Sequence, residues 1–231
     1  MAAKQFLLTL QIIMLIAVPF AFADTPTGPK PPEGFTALFN GKDLTGWKGL
    51  VDDPEKRAKM TPEQLAAGQV KADEKMREHW KVVDGVLEFD GKGDSLCTTK
   101  DYGDFELYVD WKIKPEGDSG IYLRGSPQVQ IWDHPIGSGG LYNNQKPENP
   151  SKPLAVADRP VGEWNRFKIL MAGERVTVLL NDVLVVHHTV LENYWERDRP
   201  IYPTGPIELQ NHGNSLWFKN VFLRELPRAS Q

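Results

Sequence analysis

The segment 117–133 restricts the fold of this chain more than any other part of the sequence, because it reads as two short strands around a Gly-Ser-Pro turn. Side chains alternate between the two faces of a strand. One face is predicted to pack in a core and comprises Ser119, Ile121, Leu123, Val129 and Ile131. The other face carries a phenol, a guanidinium, two amides and an indole, on Tyr122, Arg124, Gln128, Gln130 and Trp132. Such groups supply the fixed hydrogen bonds and the flat apolar surface that a sugar-sized polar ligand needs.

Other alternating segments follow at steady spacing, separated by turn residues such as Asp84-Gly85. Segment 104–112 has one apolar face, made of Phe105, Leu107, Val109 and Trp111. The remaining predicted strands lie within 35–39, 81–89, 164–171, 176–187, 206–213 and 216–226. Many short strands of this kind predict an all-β sandwich, with a single domain over residues 35–227.

Two interruptions depart from the strand pattern. Residues 53–79 are predicted to be a helical insertion, because Asp53-Pro54 and Thr61-Pro62 each place a capping residue before a proline at the first helical position. The insertion either rims a ligand site or has no part in the chemistry. The Gly/Pro/Asn-rich segment 134–162 is predicted to be a long loop, and loops of that length are commonly functional.

The amino-terminal residues predict export. Lys4, the apolar run 6–22 and Ala21-Phe22-Ala23 match a signal peptide over residues 1–23, followed by a Pro-rich tether over 24–34. Thr9, Gln11 and Pro19 interrupt the apolar run, which disfavours a stable membrane anchor. We therefore expect a periplasmic or secreted protein.

Charge and cysteine usage exclude several functions. The formal net charge is −4 and there is no run of Lys or Arg, which argues against nucleic acid as a partner. Cys97 is the only cysteine, so it is expected to be a buried, unreactive thiol. His187 and His188 are adjacent and would point to opposite faces of a strand, so no metal site is predicted there. The sequence is compatible with a structural calcium ion in a Gly/Asp/Asn loop.

Six blocks in order carry a family resemblance: 34–47, 102–107, 118–124, 129–133, 162–165 and 205–213. With them the chain resembles the 3-keto-disaccharide hydrolase family, also described as 3-keto-glucoside 1,2-lyase and 3-keto-2-hydroxy-glucal hydratase. The resemblance covers nearly all of the mature chain and implies a concanavalin A-like jelly-roll sandwich. The insertion at 53–79 looks longer and more helical than the family's usual connection there.

The resemblance implies glycosides oxidised at carbon 3 as substrates, and no cofactor. The ketone acidifies the proton on carbon 2, and the enolate formed by its loss expels the glycosidic oxygen from carbon 1. Water then adds to the resulting glycal. This reaction needs a base near carbon 2, donors to the carbon 3 oxygen and a proton donor for the leaving oxygen.

The polar residues of the sequence are candidates for these roles, and four of them also have a structural alternative. The candidate catalytic residues are Asp133, His212, Arg124 and Asp110. The candidate substrate-binding residues are Gln130, Gln128, Trp132, Tyr122, Tyr142 and Gln210. The alternatives are a salt bridge to Asp110 or Asp118 for Arg124, a strand-end cap for Asp133, a solvated sheet face for Asp110 and a structural role for His212.

Three other functions stay open at this stage. A non-catalytic carbohydrate-binding module needs only the aromatic groups and the amides. A conventional glycosidase needs two carboxylates, but Glu106 and Asp110 are separated by about 13 Å along one strand, too far for a retaining or an inverting pair. A structural surface domain would bind no sugar.

Overall fold

The computed structural model describes residues 28–227, which form thirteen strands and two helices. The strands are β1 Thr36–Ala37, β2 Trp47–Gly49, β3 Trp80–Val83, β4 Val86–Phe89, β5 Leu96–Thr98, β6 Phe105–Ile113, β7 Asp118–Leu123, β8 Ser126–Trp132, β9 Asn165–Ala172, β10 Arg175–Leu180, β11 Val183–Val190, β12 Glu208–Leu209 and β13 Leu216–Glu225. The helices are α1 Pro54–Arg57 and α2 Pro62–His79. The predicted signal peptide and the first residues of the tether lie outside the described residues.

The strands form two antiparallel sheets. The first sheet has eight strands in the order β11-β10-β9-β6-β13-β4-β3, with β1 paired to β13. The second sheet has five strands in the order β2-β5-β12-β7-β8. The inner faces of the two sheets share one apolar core, so the prediction of an all-β sandwich is confirmed.

Side chains that alternate between the two faces of each strand determine which residues lie in the core. Leu107 and Val109 of β6, and Ile121 of β7, are fully buried in the core. The intervening residues of β7 and β8 therefore face outward from the five-stranded sheet. On this outer face Gln128 and Gln130 are nevertheless almost fully buried, and the backbone of Gln130 also hydrogen-bonds to Gly139 and Gly140 of the segment that follows β8.

The turn between β7 and β8 lies one residue earlier than the sequence predicted. Arg124 and Gly125 form a two-residue turn with φ values of 55° and 72°, and Ser126 already belongs to β8. Two consecutive positive φ values are typical of a tight hairpin turn. Pro127 is tolerated in β8 because that strand is at the edge of its sheet. Arg124 is consequently not on the polar face of β7, which corrects the prediction.

The helical insertion is confirmed. Asp53 caps α1, and Thr61 forms a capping box with Gln64 at the start of α2. Helix α2 packs against β2 so closely that a Cβ at Gly49 would lie 2.1 Å from the backbone oxygen of Ala72. The insertion is thus attached to the edge of the five-stranded sheet. Within residues 28–227, neither helix is long and apolar enough to span a bilayer.

Candidate functional site

The candidate site is built around Gly120, in the middle of the outer face of the five-stranded sheet. Gly120 pairs with Gln130 of β8, and its carbonyl oxygen accepts a hydrogen bond of 2.9 Å from the Gln210 backbone. A Cβ at Gly120 would lie 2.8 Å from Cδ of Gln128, so the side chain of Gln128 occupies the space that glycine leaves. Asp118 and Tyr122 flank Gly120 on the same face of β7.

A chain of polar contacts runs along one side of Gly120. The Nδ1 atom of His212 lies 3.4 Å from Oδ2 of Asp118, and Gln130 Nε2 donates to Oδ1 of Asp118 at 2.7 Å. Gln128 Nε2 in turn donates to Gln130 Oε1. Because an ionised carboxylate only accepts, Asp118 fixes the orientation of both amides. The Oε1 atom of Gln128 is left buried and without a hydrogen-bond partner in the described residues.

Glu208 lies on the other side of Gly120, paired with Tyr122 on β7 and with Cys97 on β5. Its carboxyl group is buried, and burial raises its pKa to about 7. The Ser95 hydroxyl opposes this shift by hydrogen bonding to the carboxyl, followed by the charge of Arg57. A carboxyl group with such a pKa in a cleft can accept or release a proton near neutrality.

The Glu208 pocket, as we name the recess over this carboxyl, has a volume of about 180 Å³. It is lined by Leu50, Asp52, Asp53, Pro54, Arg57, Ser95, Tyr122, Trp195, Glu208, Gln210 and Asn211. The helical insertion therefore forms one wall of the pocket.

Tyr122 and Gln210 connect the two sides of the site. Gln210 Nε2 donates to the Tyr122 hydroxyl at 3.1 Å, and Gln210 Oε1 is buried without a partner among the described residues. Burial, and then the charge of Glu208, raises the pKa of Tyr122, so its hydroxyl stays protonated and able to donate. The site thus offers unsatisfied acceptors beside a donor, which suits a ligand with several hydroxyl groups.

Aromatic side chains border the site at the far end of β8. The Trp132 ring stacks on His134, with ring centroids 4.5 Å apart, and meets Tyr142 edge-on at 5.1 Å. Tyr142 comes from the long loop and is half exposed. A space of about 70 Å³ separates Trp132 and Tyr142 from Gln130. The predicted residues Trp132 and Tyr142 thus lie in one aromatic cluster with His134.

The long loop is fixed to the edge of β8 and to the segment after β11. Gln130 exchanges two backbone hydrogen bonds with the loop, 2.9 Å to Gly140 and 2.8 Å from Gly139. The buried carboxylate of Glu192 accepts hydrogen bonds from the backbone nitrogens of Gln145 and Lys146 at 3.0 and 2.9 Å. The loop therefore covers Gln130 in a defined conformation.

Arg124 does not join the site. Its guanidinium is 3% exposed and pairs with Asp104 at 2.5 Å, and its Nε donates to the Gly103 carbonyl at 2.8 Å. The turn position of Arg124 directs the side chain toward the end of the sandwich. Arg124 and Asp133 lie at opposite ends of β8, about 23 Å apart at the usual strand rise. Arg124 does form a salt bridge, but its partner is Asp104 and not Asp110 or Asp118, which were the partners of the structural alternative.

Asp110 lies on the outer face of the eight-stranded sheet, on the other side of the sandwich. Arg166 holds it in a bidentate ion pair, with distances of 2.5 and 2.9 Å, and Asn220 donates to it at 2.7 Å. The predicted strand was right, but β6 belongs to the sheet that does not carry the site. We therefore remove Asp110 from the candidate site.

Asp133 caps a turn and is exposed. Its Oδ2 accepts a hydrogen bond of 3.0 Å from the backbone of Glu116, and its backbone nitrogen donates to Gly117 at 2.9 Å. Because Asp133 directly follows Trp132, its side chain points away from the face that carries Gln130. It borders a separate cavity of about 320 Å³ at the end of the sandwich, together with Trp111 and Asp158.

The structure brings together the predicted residues Gln128, Gln130, Trp132, Tyr122, Gln210, His212 and Tyr142. It adds Glu208, Asp118 and Gly120, which the sequence analysis did not select. The signal for Glu208 was present, because Glu208, Gln210 and His212 recur at every second position. Cys97 is buried, as expected, and burial first and then the charge of Glu208 raise the pKa of its thiol to about 12.

In residues 28–227 we find no group of three or more His, Cys, Asp or Glu side chains placed to hold a metal ion. The polar atoms around Gly120 are instead mainly amide, hydroxyl and carboxyl groups on neighbouring strands. Their arrangement supports hydrogen bonding to a hydroxylated ligand and proton transfer by Glu208 or His212.

Comparison with known proteins gives consistent results. The sequence pattern of the 3-keto-alpha-glucoside-1,2-lyase-like domain matches residues 34–224. A 3-keto-disaccharide hydrolase from Bacteroides thetaiotaomicron is 23% identical, over 86% of this chain and 80% of the relative. Two solved structures from Parabacteroides distasonis, each described as a candidate glycosyl hydrolase, are similar in fold. One is 29% identical with a TM-score of 0.59, covering 84% of this chain and 85% of the other. The second is 26% identical with a TM-score of 0.58, covering 84% and 95%.

Proposed function

The chain belongs to the family of the 3-keto-alpha-glucoside-1,2-lyase-like domain, and from that premise we propose that it cleaves 3-keto-glycosides by elimination across carbons 1 and 2, followed by hydration. The substrates are disaccharides or other glycosides whose sugar ring carries a ketone at carbon 3. The observation that carries the proposal is the buried Glu208 carboxyl, with its pKa of about 7, in a pocket lined by groups that bind hydroxyls.

Glu208 is the general base in this proposal. It takes the proton from carbon 2, and the electron pair of that C–H bond forms the enolate of the carbon 3 ketone. The enolate then collapses, the C1–O bond breaks and the glycosidic oxygen leaves with the bonding pair. A base with a pKa near the working pH contributes roughly 10²–10⁴ in rate.

His212 supplies the proton that the leaving oxygen needs. Its imidazole side chain is 57% exposed, and its Nδ1 lies 3.4 Å from Oδ2 of Asp118, which orients the ring. Water then adds to carbon 1 of the glycal and a proton returns to carbon 2, so that the overall reaction is hydrolysis. Tyr122, Gln128 and Gln210 bind the hydroxyl groups of the ring.

Asp118 is a second carboxyl group on the same face as Glu208, and its backbone lies far from that of Glu208. Glu208 pairs with Tyr122, and Asp118 lies four residues from Tyr122 along β7, so about 13 Å separates the two backbone positions. Retaining and inverting glycosidases hold their carboxyl groups about 5 Å and about 6.5–9.5 Å apart, respectively. In this proposal the aromatic pair Trp132 and Tyr142 contacts the second sugar or another aglycone.

The test is incubation of the purified protein with a 3-keto-glucoside in deuterium oxide. We expect release of the aglycone and deuterium at carbon 2 of the product, and we expect Glu208→Gln to lose both. Cleavage without deuterium at carbon 2 would indicate direct hydrolysis. Binding of the sugar without any turnover would favour a carbohydrate-binding module.

Export is part of the same proposal. Cleavage after Ala23 by a signal peptidase would begin the mature chain at Asp24. Amino-terminal sequencing of the protein recovered from a bacterial periplasm or medium tests this. Recovery of the full chain from the cytoplasm alone would contradict it.

A further inference from the structure

The helical insertion brings an arginine to the Glu208 pocket. Arg57 is the last residue of α1, a one-turn helix that begins after the cap Asp53. One guanidinium nitrogen, Nη1, donates to the carbonyl oxygen of Val51 at 3.1 Å and also to that of Asp52. Two backbone contacts therefore anchor one edge of the guanidinium.

The other edge of the guanidinium is available. Within residues 28–227, the Nε and Nη2 atoms of Arg57 have no hydrogen-bond or ion-pair partner. Arg57 lines the Glu208 pocket and is close enough for its charge to act on both Glu208 and Cys97. An anchored arginine with unused donors beside a buried base is suited to hold an oxygen atom of a ligand.

The reaction proposed above requires such a donor. Negative charge develops on the carbon 3 oxygen when carbon 2 loses its proton, and preorganised donors lower the barrier most at that oxygen. Arg124, which the sequence analysis named as a candidate catalytic residue, is paired with Asp104 outside the site. The neutral donor Tyr122 lies in the same pocket, but Arg57 is the cation among the lining residues.

We propose that Arg57 is a catalytic residue that binds the carbon 3 oxygen and stabilises the enolate. This inference rests on the proposed function, and it gives the helical insertion a chemical role. The insertion then supplies both a wall of the pocket and the positive charge of the oxyanion site, while the sheet supplies the base.

The test compares Arg57→Gln and Arg57→Lys with Arg77→Gln, a control on the exposed surface of the same insertion. Each is assayed with a 3-keto-glucoside, and denaturation midpoints confirm folding. We expect kcat to fall about 10²–10³-fold in Arg57→Gln with little change in KM. We expect a smaller loss in Arg57→Lys, which keeps the charge, and none in Arg77→Gln.

A second variant distinguishes loss of the guanidinium group from loss of folding. Arg57→Ala is assayed with and without millimolar guanidinium, and we expect the added cation to restore part of kcat. Near wild-type kcat in Arg57→Gln would overturn the role of Arg57 and leave the proposed function intact. An inactive wild-type protein would instead overturn the proposed function, and the role of Arg57 with it.

Discussion

The side-chain amide of Gln130 donates a hydrogen bond of 2.7 Å to Asp118 across the ladder between β7 and β8. The contact decides the direction of the whole polar chain, because the carboxylate can only accept. Gln130 must turn its oxygen toward Gln128, and Gln128 must donate to it. One residue on β7 thus determines which atoms β8 offers to a ligand.

Replacing Asp118 by Asn should release the fixed orientation of the Gln130 and Gln128 amides. Asn both donates and accepts, so the two glutamines can reverse, and His212 loses its negatively charged partner. The loss of a hydrogen bond to a charged group, about 1.5–3 kcal/mol, corresponds to a roughly 10–100-fold decrease in kcat/KM. Steady-state kinetics on a 3-keto-glucoside measure it. An unchanged kcat/KM in the folded variant would show that the polar chain does not act on the substrate.

The buried carboxyl of Glu208 should make stability fall as the pH rises. Its pKa is about 7 in the folded protein, against 4.5 for an unperturbed glutamate, so between these values the folded state holds a proton that the unfolded state has lost. This difference costs about 3 kcal/mol of unfolding free energy by pH 8. Urea denaturation at pH 5 and pH 8 should show the loss in the wild type. It should be much smaller in Glu208→Gln, and an equal loss in the two proteins would contradict the assignment.

Alanine at Gly120 should distort the site, because its Cβ would lie 2.8 Å from the side chain of Gln128. Overpacking of this kind costs about 1–3 kcal/mol. We expect a lower denaturation midpoint and weaker sugar binding in Gly120→Ala. Adding Gln128→Ala removes the clash, so the double variant should recover stability but not binding. Failure to recover would place the strain elsewhere.

Substitution of Arg124 by Met should affect stability and leave the chemistry unchanged. Asp104 would remain largely buried without its partner, and breaking a buried ion pair costs about 3–5 kcal/mol. Denaturation curves should show the loss, while kcat per folded molecule at low temperature should equal that of the wild type. A specific decrease in kcat would return Arg124 to the site. Asp104→Asn provides a comparison from the other side of the pair.

Local sequence patterns were sufficient to predict several strands and both helices. Period-two alternation identified β6, β7 and β8, and capping residues identified α1 and α2. The same alternation placed Gln128, Gln130 and Trp132 on one face of β8, because the orientation of a side chain in a strand depends only on its neighbours. The same reasoning was wrong for Arg124, which lies in the turn and not on the polar face of β7. A shift of one residue in a turn changes the direction in which a side chain points.

The sequence by itself determined that the chain forms a sandwich of short strands with a polar, aromatic face on one hairpin, since these properties follow from neighbouring residues. Only the tertiary structure decided which strands share a sheet: it placed Asp110 on the far side and Glu208 beside Tyr122. It also decided that Glu208 is buried and that Arg57 lines the same pocket. Burial and proximity arise from contacts between segments that lie far apart along the chain, and no local pattern encodes such contacts.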